Sequence, residues 1–135
     1  MKKNKAIMLV IGLIISIALL VISYQTTNTG RWVKGSDGQW ISEGNPSKTP
    51  LKVIDQQMKV LAARALYDDA VAARVNLGIG PCLGTIGNDW VVDIVHLPRS
   101  AIDDEPANQC SEYISGLATN FIELDTSGHL VRIVD

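Results

Sequence analysis

Acidic residues and histidines are the side chains of this sequence best suited to bind a metal or to act as acid and base. Asp93 and His96 lie three residues apart in one apolar segment. A second candidate set combines Asp103, Asp104 and Glu105 of an acidic loop with His129. Carboxylate oxygens and imidazole nitrogens are the donors that zinc and calcium sites use. Neither spacing is specific for a metal, so strand residues and a solvated loop are the ordinary interpretation of these positions.

The motifs that would identify an enzyme or a nucleotide-binding protein are missing from the sequence. No Gly-x-Ser-x-Gly elbow is present, and the glycines of residues 78–87 do not link a strand to a helix as in a phosphate-binding loop. No cofactor is implied. A non-catalytic binding or protein-interaction module is the leading hypothesis, and the alternative is a metal-dependent or hydrolytic enzyme using Asp93, His96 and the Asp103/Asp104 loop.

Cys82 and Cys110 are the two cysteines of the sequence. A pair without a third competitor in an exported protein is most simply a disulfide. A redox-active pair normally has the close Cys-x-x-Cys spacing, which is absent here. The sequence therefore predicts a structural disulfide between Cys82 and Cys110.

An interaction surface is predicted where the acidic loop lies beside a segment that contains tryptophan. Exposed aromatic and charged side chains are common at binding surfaces, and the surface would meet an extracytoplasmic protein or a small ligand. The residues assigned to it are Trp32, Trp40, Arg99, Asp103, Asp104 and Asn108.

The N-terminal segment is strongly hydrophobic. Residues 6–23 are apolar or small and carry no charge, while Lys2, Lys3 and Lys5 precede them. About 18 residues at roughly 1.5 Å rise give about 27 Å, just enough for a hydrocarbon core. The positive-inside rule then places residues 1–5 in the cytoplasm and residues 24–135 outside. The alternative is a signal peptide, whose cleavage would release a secreted protein.

Charge in the remainder of the chain is acidic. Residues 24–135 contain 9 basic and 14 acidic residues, a net of −5, without a basic cluster. Nucleic-acid binding depends on such clusters, because Lys and Arg displace the counterions of the phosphates. Nucleic acid is therefore not an expected partner, and residues 6–23 are the one expected membrane contact.

Hydrophobic periodicity predicts the elements that position these residues. Residues 50–76 form a long helix whose buried stripe contains Leu51, Ile54, Met58 and Leu61. The β-branched segment from residue 90 to 97 is a central strand, residues 107–115 a short helix, and residues 120–134 a hairpin around an Asp-Thr-Ser-Gly turn.

The predicted fold class is therefore α+β. An N-terminal transmembrane helix precedes a small, mainly antiparallel sheet that packs against one long helix, with a C-terminal β-hairpin and one disulfide. The predicted organisation is a basic stub at 1–5, an anchor at 6–23, a tether at 24–49 with room for one small hairpin, and an extracytoplasmic domain at 50–135.

Overall fold

The computed structural model describes residues 2–27 and 29–135, with side chains for all of these except residues 2–6, 9 and 24–27. The chain divides into two compact units. The first comprises Met1–Val33 and Ser42–Thr49, and the second comprises Lys34–Ile41 and Pro50–Asp135.

The N-terminal segment is one helix, Lys2–Thr27 (α1). Its described large apolar side chains, from Ile7 to Ile22, are each more than half exposed. Within the described residues, no helix has both the length and the apolar character needed to cross a membrane. The structure thus contains the helix and does not confirm the transmembrane anchor, whose 18 apolar residues lie at the lower limit of spanning length. The side chains of the lysines that set the predicted orientation lie outside the described residues.

The predicted tether contains a two-stranded sheet, formed by Gly30–Lys34 (β1) and Trp40–Gly44 (β2). In the first unit, Arg31 forms an ion pair with Glu43 at 2.9 Å. The residues between the strands belong to the second unit, where Gly38 has φ of 81° and approaches the backbone of Ile133 too closely for any side chain. A glycine is therefore required in this turn.

The long helix of the second unit is Leu51–Ala72 (α2), shorter than the predicted 50–76. Pro50 precedes it, where a missing N–H removes no helical hydrogen bond. The helix ends at Ala73, and Arg74 adopts the left-handed conformation with φ of 59°. Arg74 thus occupies the position that glycine usually takes after a helix, so the predicted end at residue 76 is four residues too late.

The buried stripe of α2 differs from the predicted one. Its buried residues are Val53, Gln56, Ala63 and Ala70. The residues predicted to be buried are largely exposed, at 83% for Leu51, 44% for Ile54, 59% for Met58 and 60% for Leu61. Two apolar stripes with the same spacing of three and four residues run along α2, and the smaller side chains allow the closer approach to the sheet.

A buried amide explains why one of these stripes contains a polar residue. Gln56 accepts the backbone N–H of Trp40 at 2.8 Å and donates to the carbonyl of Gly38 at 2.9 Å. Its side chain thus satisfies backbone groups of the turn between β1 and β2, and buried polar groups are stable only when they are paired in this way.

Four further strands form one sheet in which each strand neighbours the next along the chain. They are Cys82–Thr85 (β3), Trp90–Val95 (β4), Asn120–Asp125 (β5) and Leu130–Val134 (β6). The pairs β3–β4 and β5–β6 are antiparallel, whereas β4 and β5 are parallel. The sheet is therefore mainly antiparallel, as predicted, and the C-terminal hairpin is confirmed. Strand β3 was missed, since its glycine-rich sequence resembles an irregular turn.

The main hydrophobic core lies between α2 and one face of this sheet. Val92, Ile94, Ile122 and Leu124 are fully buried and pack with Ala63 of the helix. Because side chains alternate along a strand, the residues between them point to the opposite face, which α2 does not cover. We call this opposite face the helix-free face, because the long helix α2 does not pack on it.

The connection between β4 and β5 crosses the helix-free face. A parallel pair requires a long crossover, and residues 96–119 supply it. It contains the 3₁₀ helix Ala101–Asp104 and the single helical turn Ser111–Ile114 (α3), which is shorter than the predicted helix at 107–115. The crossover places Cys110 against Val91 in a second, smaller buried cluster.

The predicted disulfide is confirmed. Cys82 at the start of β3 bonds to Cys110 just before α3, with a Cα–Cα distance of 5.0 Å. The bond joins the crossover to the edge of the sheet and closes a loop of sequence separation 28.

Candidate functional site

A cavity of about 370 Å³ opens on the helix-free face. Its floor is the middle of the sheet, and the crossover and α3 form its wall. The lining residues are Val91, Asp93, Arg99, Gln109, Cys110, Tyr113, Phe121, Glu123, Arg132 and Val134. Small-molecule sites typically combine an apolar lining with a few polar groups in a volume of about 300 to 1,000 Å³. The cavity has such a volume, and half of its ten lining residues carry charged or amide side chains.

Strand register brings the polar residues of the cavity together. Asp93 of β4 is the register partner of Glu123 of β5, and Glu123 is the partner of Arg132 of β6. Register partners in a sheet have their side chains on the same face. The three charged residues therefore form a row across three strands.

Glu123 is held by two arginines. Its carboxylate accepts from Arg132 Nε and Nη2, both at 2.9 Å, and from Arg99 Nη1 at 2.8 Å. Its side chain is only 6% exposed, so two cations compensate one buried anion. Arg99 also pairs with the exposed Asp104, and although burial opposes its charge, its bonds to Asp104 and Glu123 raise the pKa of Arg99.

Asp93 is the exception in this row because its carboxyl is incompletely paired. Its Oδ1 atom is buried and has no hydrogen-bond partner among the described residues. Burial, followed by the negative charge of Glu123, raises the pKa of Asp93 to about 7. Asp93 is thus partly protonated at neutral pH, and strongly perturbed carboxyls of this kind cluster at functional sites.

Two aromatic rings line the cavity beside the charged row. The rings of Tyr113 and Phe121 meet edge to face with centroids 5.1 Å apart, and the Arg132 guanidinium lies 4.9 Å from the Phe121 ring centre. Val91 and Val134 flank Phe121 on the neighbouring strands. An apolar surface therefore lies directly beside the charged row.

His96 and Asp103, predicted as candidate metal or catalytic residues, do come together. His96 Nδ1 lies 2.7 Å from Asp103 Oδ1, and the fully buried carboxylate also accepts the backbone N–H of His96 and of Ser100. Burial would raise the pKa of Asp103, but the Ser100 N–H and the bonds from His96 lower it overall. This carboxylate thus satisfies the backbone at the start of the crossover.

Ser100, His96 and Asp103 do not form a hydrolytic triad. Ser100 Oγ and the Asp103 carboxylate both lie near His96 Nδ1, at 3.4 Å and 2.7 Å. In a triad the serine and the acid contact opposite nitrogens of the imidazole. Among the residues that the structure describes, no three His, Cys, Asp or Glu side chains converge to hold a metal ion.

The predicted interaction surface is divided between different structural roles. Arg99 lines the cavity, Asp104 pairs with it, and Asn108 Nδ2 donates to the carbonyl of Ile102. In the first unit, Trp32 Nε1 donates to the carbonyl of Lys48, whereas the ring of Trp40, in the second unit, lies 3.9 Å from Lys52 Nζ. Arg99 is thus the member of the predicted surface that belongs to the cavity.

Comparison with known proteins identified no relative of this chain. No family model, curated protein or solved structure matches the chain. The argument for function therefore depends on the cavity itself.

Sequence reasoning included Asp93 and Arg99 among its candidates but missed Glu123 and Arg132. Both lie inside apolar strands, and a charge in the middle of a strand is costly unless a neighbouring strand supplies a partner. The hairpin was predicted, and its register places Glu123 opposite Arg132. That pairing was the available signal for a charged helix-free face.

Proposed function

We propose that the second unit is a non-catalytic binding module and that its binding site is the cavity on the helix-free face. The observation that carries this proposal is the buried, unpartnered oxygen of Asp93 at a cavity lined by apolar and aromatic side chains. A buried polar atom without a partner costs about 1 to 3 kcal/mol. A ligand that hydrogen-bonds this oxygen after the Asp93 carboxyl rotates toward the cavity would recover this free energy.

The location of the module is a second part of the proposal. We propose that it lies outside the cytoplasm, either held at the membrane by residues 6–23 or secreted after their cleavage. The apolar run and its preceding lysines support export, and the disulfide is typical of oxidising compartments. The hydroxyls of Ser16 and Ser23 donate to carbonyls of α1 at 2.9 Å, which suits an apolar environment.

The binding proposal is tested by NMR with a set of fragment-sized compounds that have neutral, acidic and basic head groups. Bound fragments are expected to shift the resonances of Val91, Phe121 and Val134. A Val134→Trp variant fills the cavity and should lose these shifts, whereas Leu61→Trp on the exposed side of α2 should retain them. Shifts confined to the Trp32 or Trp40 region would contradict the proposal.

Export is tested with a reporter enzyme fused after Asp135 that is active only outside the cytoplasm. Activity of the fusion is expected, and an alkaline wash of the membranes distinguishes an anchored chain from a secreted one. A fusion that is active only with a cytoplasmic reporter would reject the orientation.

A further inference from the structure

The polar groups of the cavity also indicate its ligand, an inference that depends on the proposed binding function. We propose that the cavity binds a small organic monocarboxylate with a hydrophobic tail, whose carboxylate lies between Asp93 and Arg132 and whose tail contacts Val91, Phe121 and Val134.

Arg132 supplies the cationic side of this site. Its Nε and Nη2 donate to Glu123, and Nη1 has no hydrogen bond among the described residues. The guanidinium lies over Phe121 and its side chain is 48% exposed, so it is accessible to a ligand. A carboxylate is the usual partner of such a group because guanidinium N–H donors match its geometry.

Asp93 supplies a neutral donor beside this cation. A protonated carboxyl can donate its O–H to a ligand carboxylate, and such charge-assisted hydrogen bonds are short and strong. An ionised Asp93 would instead repel the same ligand. Binding is therefore coupled to the presence of one proton on Asp93.

The charged groups around Asp93 determine the direction of this coupling. Glu123 on β5 and Asp103 on the crossover favour the protonated form, while Arg99 opposes it. Arg132 on β6 neutralises Glu123 together with Arg99, and Asp104 neutralises part of Arg99 from its exposed side. On the remaining elements, Tyr113 of α3 lines the cavity and Cys82 of β3 is in the disulfide. An added anion therefore requires a neutral Asp93.

An amine is the less favourable ligand. With Asp93 protonated, a cation in the cavity would face both arginines and would find Glu123 already accepting three hydrogen bonds from them. The hydrophobic tail is required because the rest of the site consists of the apolar part of the floor, Val91, Phe121 and Val134, and of Tyr113 in the wall.

The test compares three probes with one aromatic ring and different head groups: benzoate, benzamide and benzylammonium. Each is titrated into the full-length chain in a neutral detergent at pH 6 and pH 8.5, and binding is followed by NMR at the methyl groups of Val91 and Val134. Benzoate should bind at pH 6 and weaken about 30-fold at pH 8.5, because Asp93 ionises near pH 7. Benzamide should bind without this pH dependence, and benzylammonium should not bind at pH 6, where Asp93 is mostly protonated.

Two variants test whether Asp93 carries the proton on which benzoate binding depends. Asp93→Asn keeps a neutral donor at every pH, so benzoate binding should persist and lose its pH dependence. Asp55→Asn on the exposed surface of α2 should leave the pH dependence unchanged.

The outcomes separate the two proposals. Tight binding of benzylammonium at pH 6, or binding of benzoate that does not change with pH, would overturn the carboxylate inference and leave the binding function intact. If none of the three probes shifts the cavity methyl groups, and the fragment set also fails, both proposals are rejected.

Discussion

Asp93 and Asp103 show how their surroundings give one residue type opposite proton affinities. Asp103 accepts two backbone N–H groups and contacts the His96 imidazole, so its pKa is lowered despite burial. Asp93 is half-buried beside the anionic Glu123 and leaves one buried oxygen unpaired, so its pKa is raised. Asp103 is therefore suited to a structural role as an anion, and Asp93 to binding a ligand as a neutral acid.

The sequence identified both aspartates but could not assign these roles. Asp103 precedes an acidic pair in a loop that resembles a solvated turn, and its burial arises from the fold of the crossover. Gly80 illustrates the dependence on tertiary structure, since a side chain there would lie 2.7 Å from Asp103 Oδ1. The close approach of these two residues is not encoded in any local motif.

The disulfide is the main constraint at the level of secondary structure elements. It connects β3 to the crossover that forms the cavity wall, and closing a loop of 28 residues removes about 3 to 4 kcal/mol of chain entropy from the unfolded state.

Replacement of both Cys82 and Cys110 by Ser should lower the free energy of unfolding by about 2 to 5 kcal/mol, measured by urea denaturation. The wild-type chain treated with a reductant is the matched control and should show a similar loss. Wild-type protein recovered from the exported fraction should contain no titratable thiol. A structural disulfide would be contradicted if the Ser variant lost less than about 1 kcal/mol of unfolding free energy and the wild-type protein contained two free thiols.

Helices and strands with a strong hydrophobic periodicity were predictable from the sequence. Which side of the helix α2 is buried was not predictable. The hairpin of β5 and β6 follows from two β-branched segments around a turn, and Gly128 has the expected positive φ of 82°. Helix α2 was predicted correctly as a helix, but its two apolar stripes have equal spacing. Which stripe is buried depends on tertiary contacts, such as the hydrogen bonds of Gln56 to the backbone of Gly38 and Trp40.

For the whole molecule, hydrophobic periodicity predicted an α+β fold and the cysteine pair predicted one disulfide, and the structure contains both. The cavity was not predictable, because it needs a parallel β4–β5 pair whose crossover covers one face. Parallel pairing of two strands at this separation has no local sequence signal. Localisation outside the cytoplasm stays a prediction from the N-terminal sequence.

The proposed site depends on an Asp93 carboxyl on the helix-free face whose pKa is raised to about 7 and which is available to a ligand. The most direct test is a pH titration of the Asp93 side-chain carboxyl by ¹³C NMR in the full-length chain, with Asp93→Asn used to assign the resonance. We expect a midpoint near pH 7, because burial and Glu123 disfavour the charged form. A midpoint near the ordinary value of 3.8 would mean that Asp93 is ionised and solvated, and would contradict the proposed site.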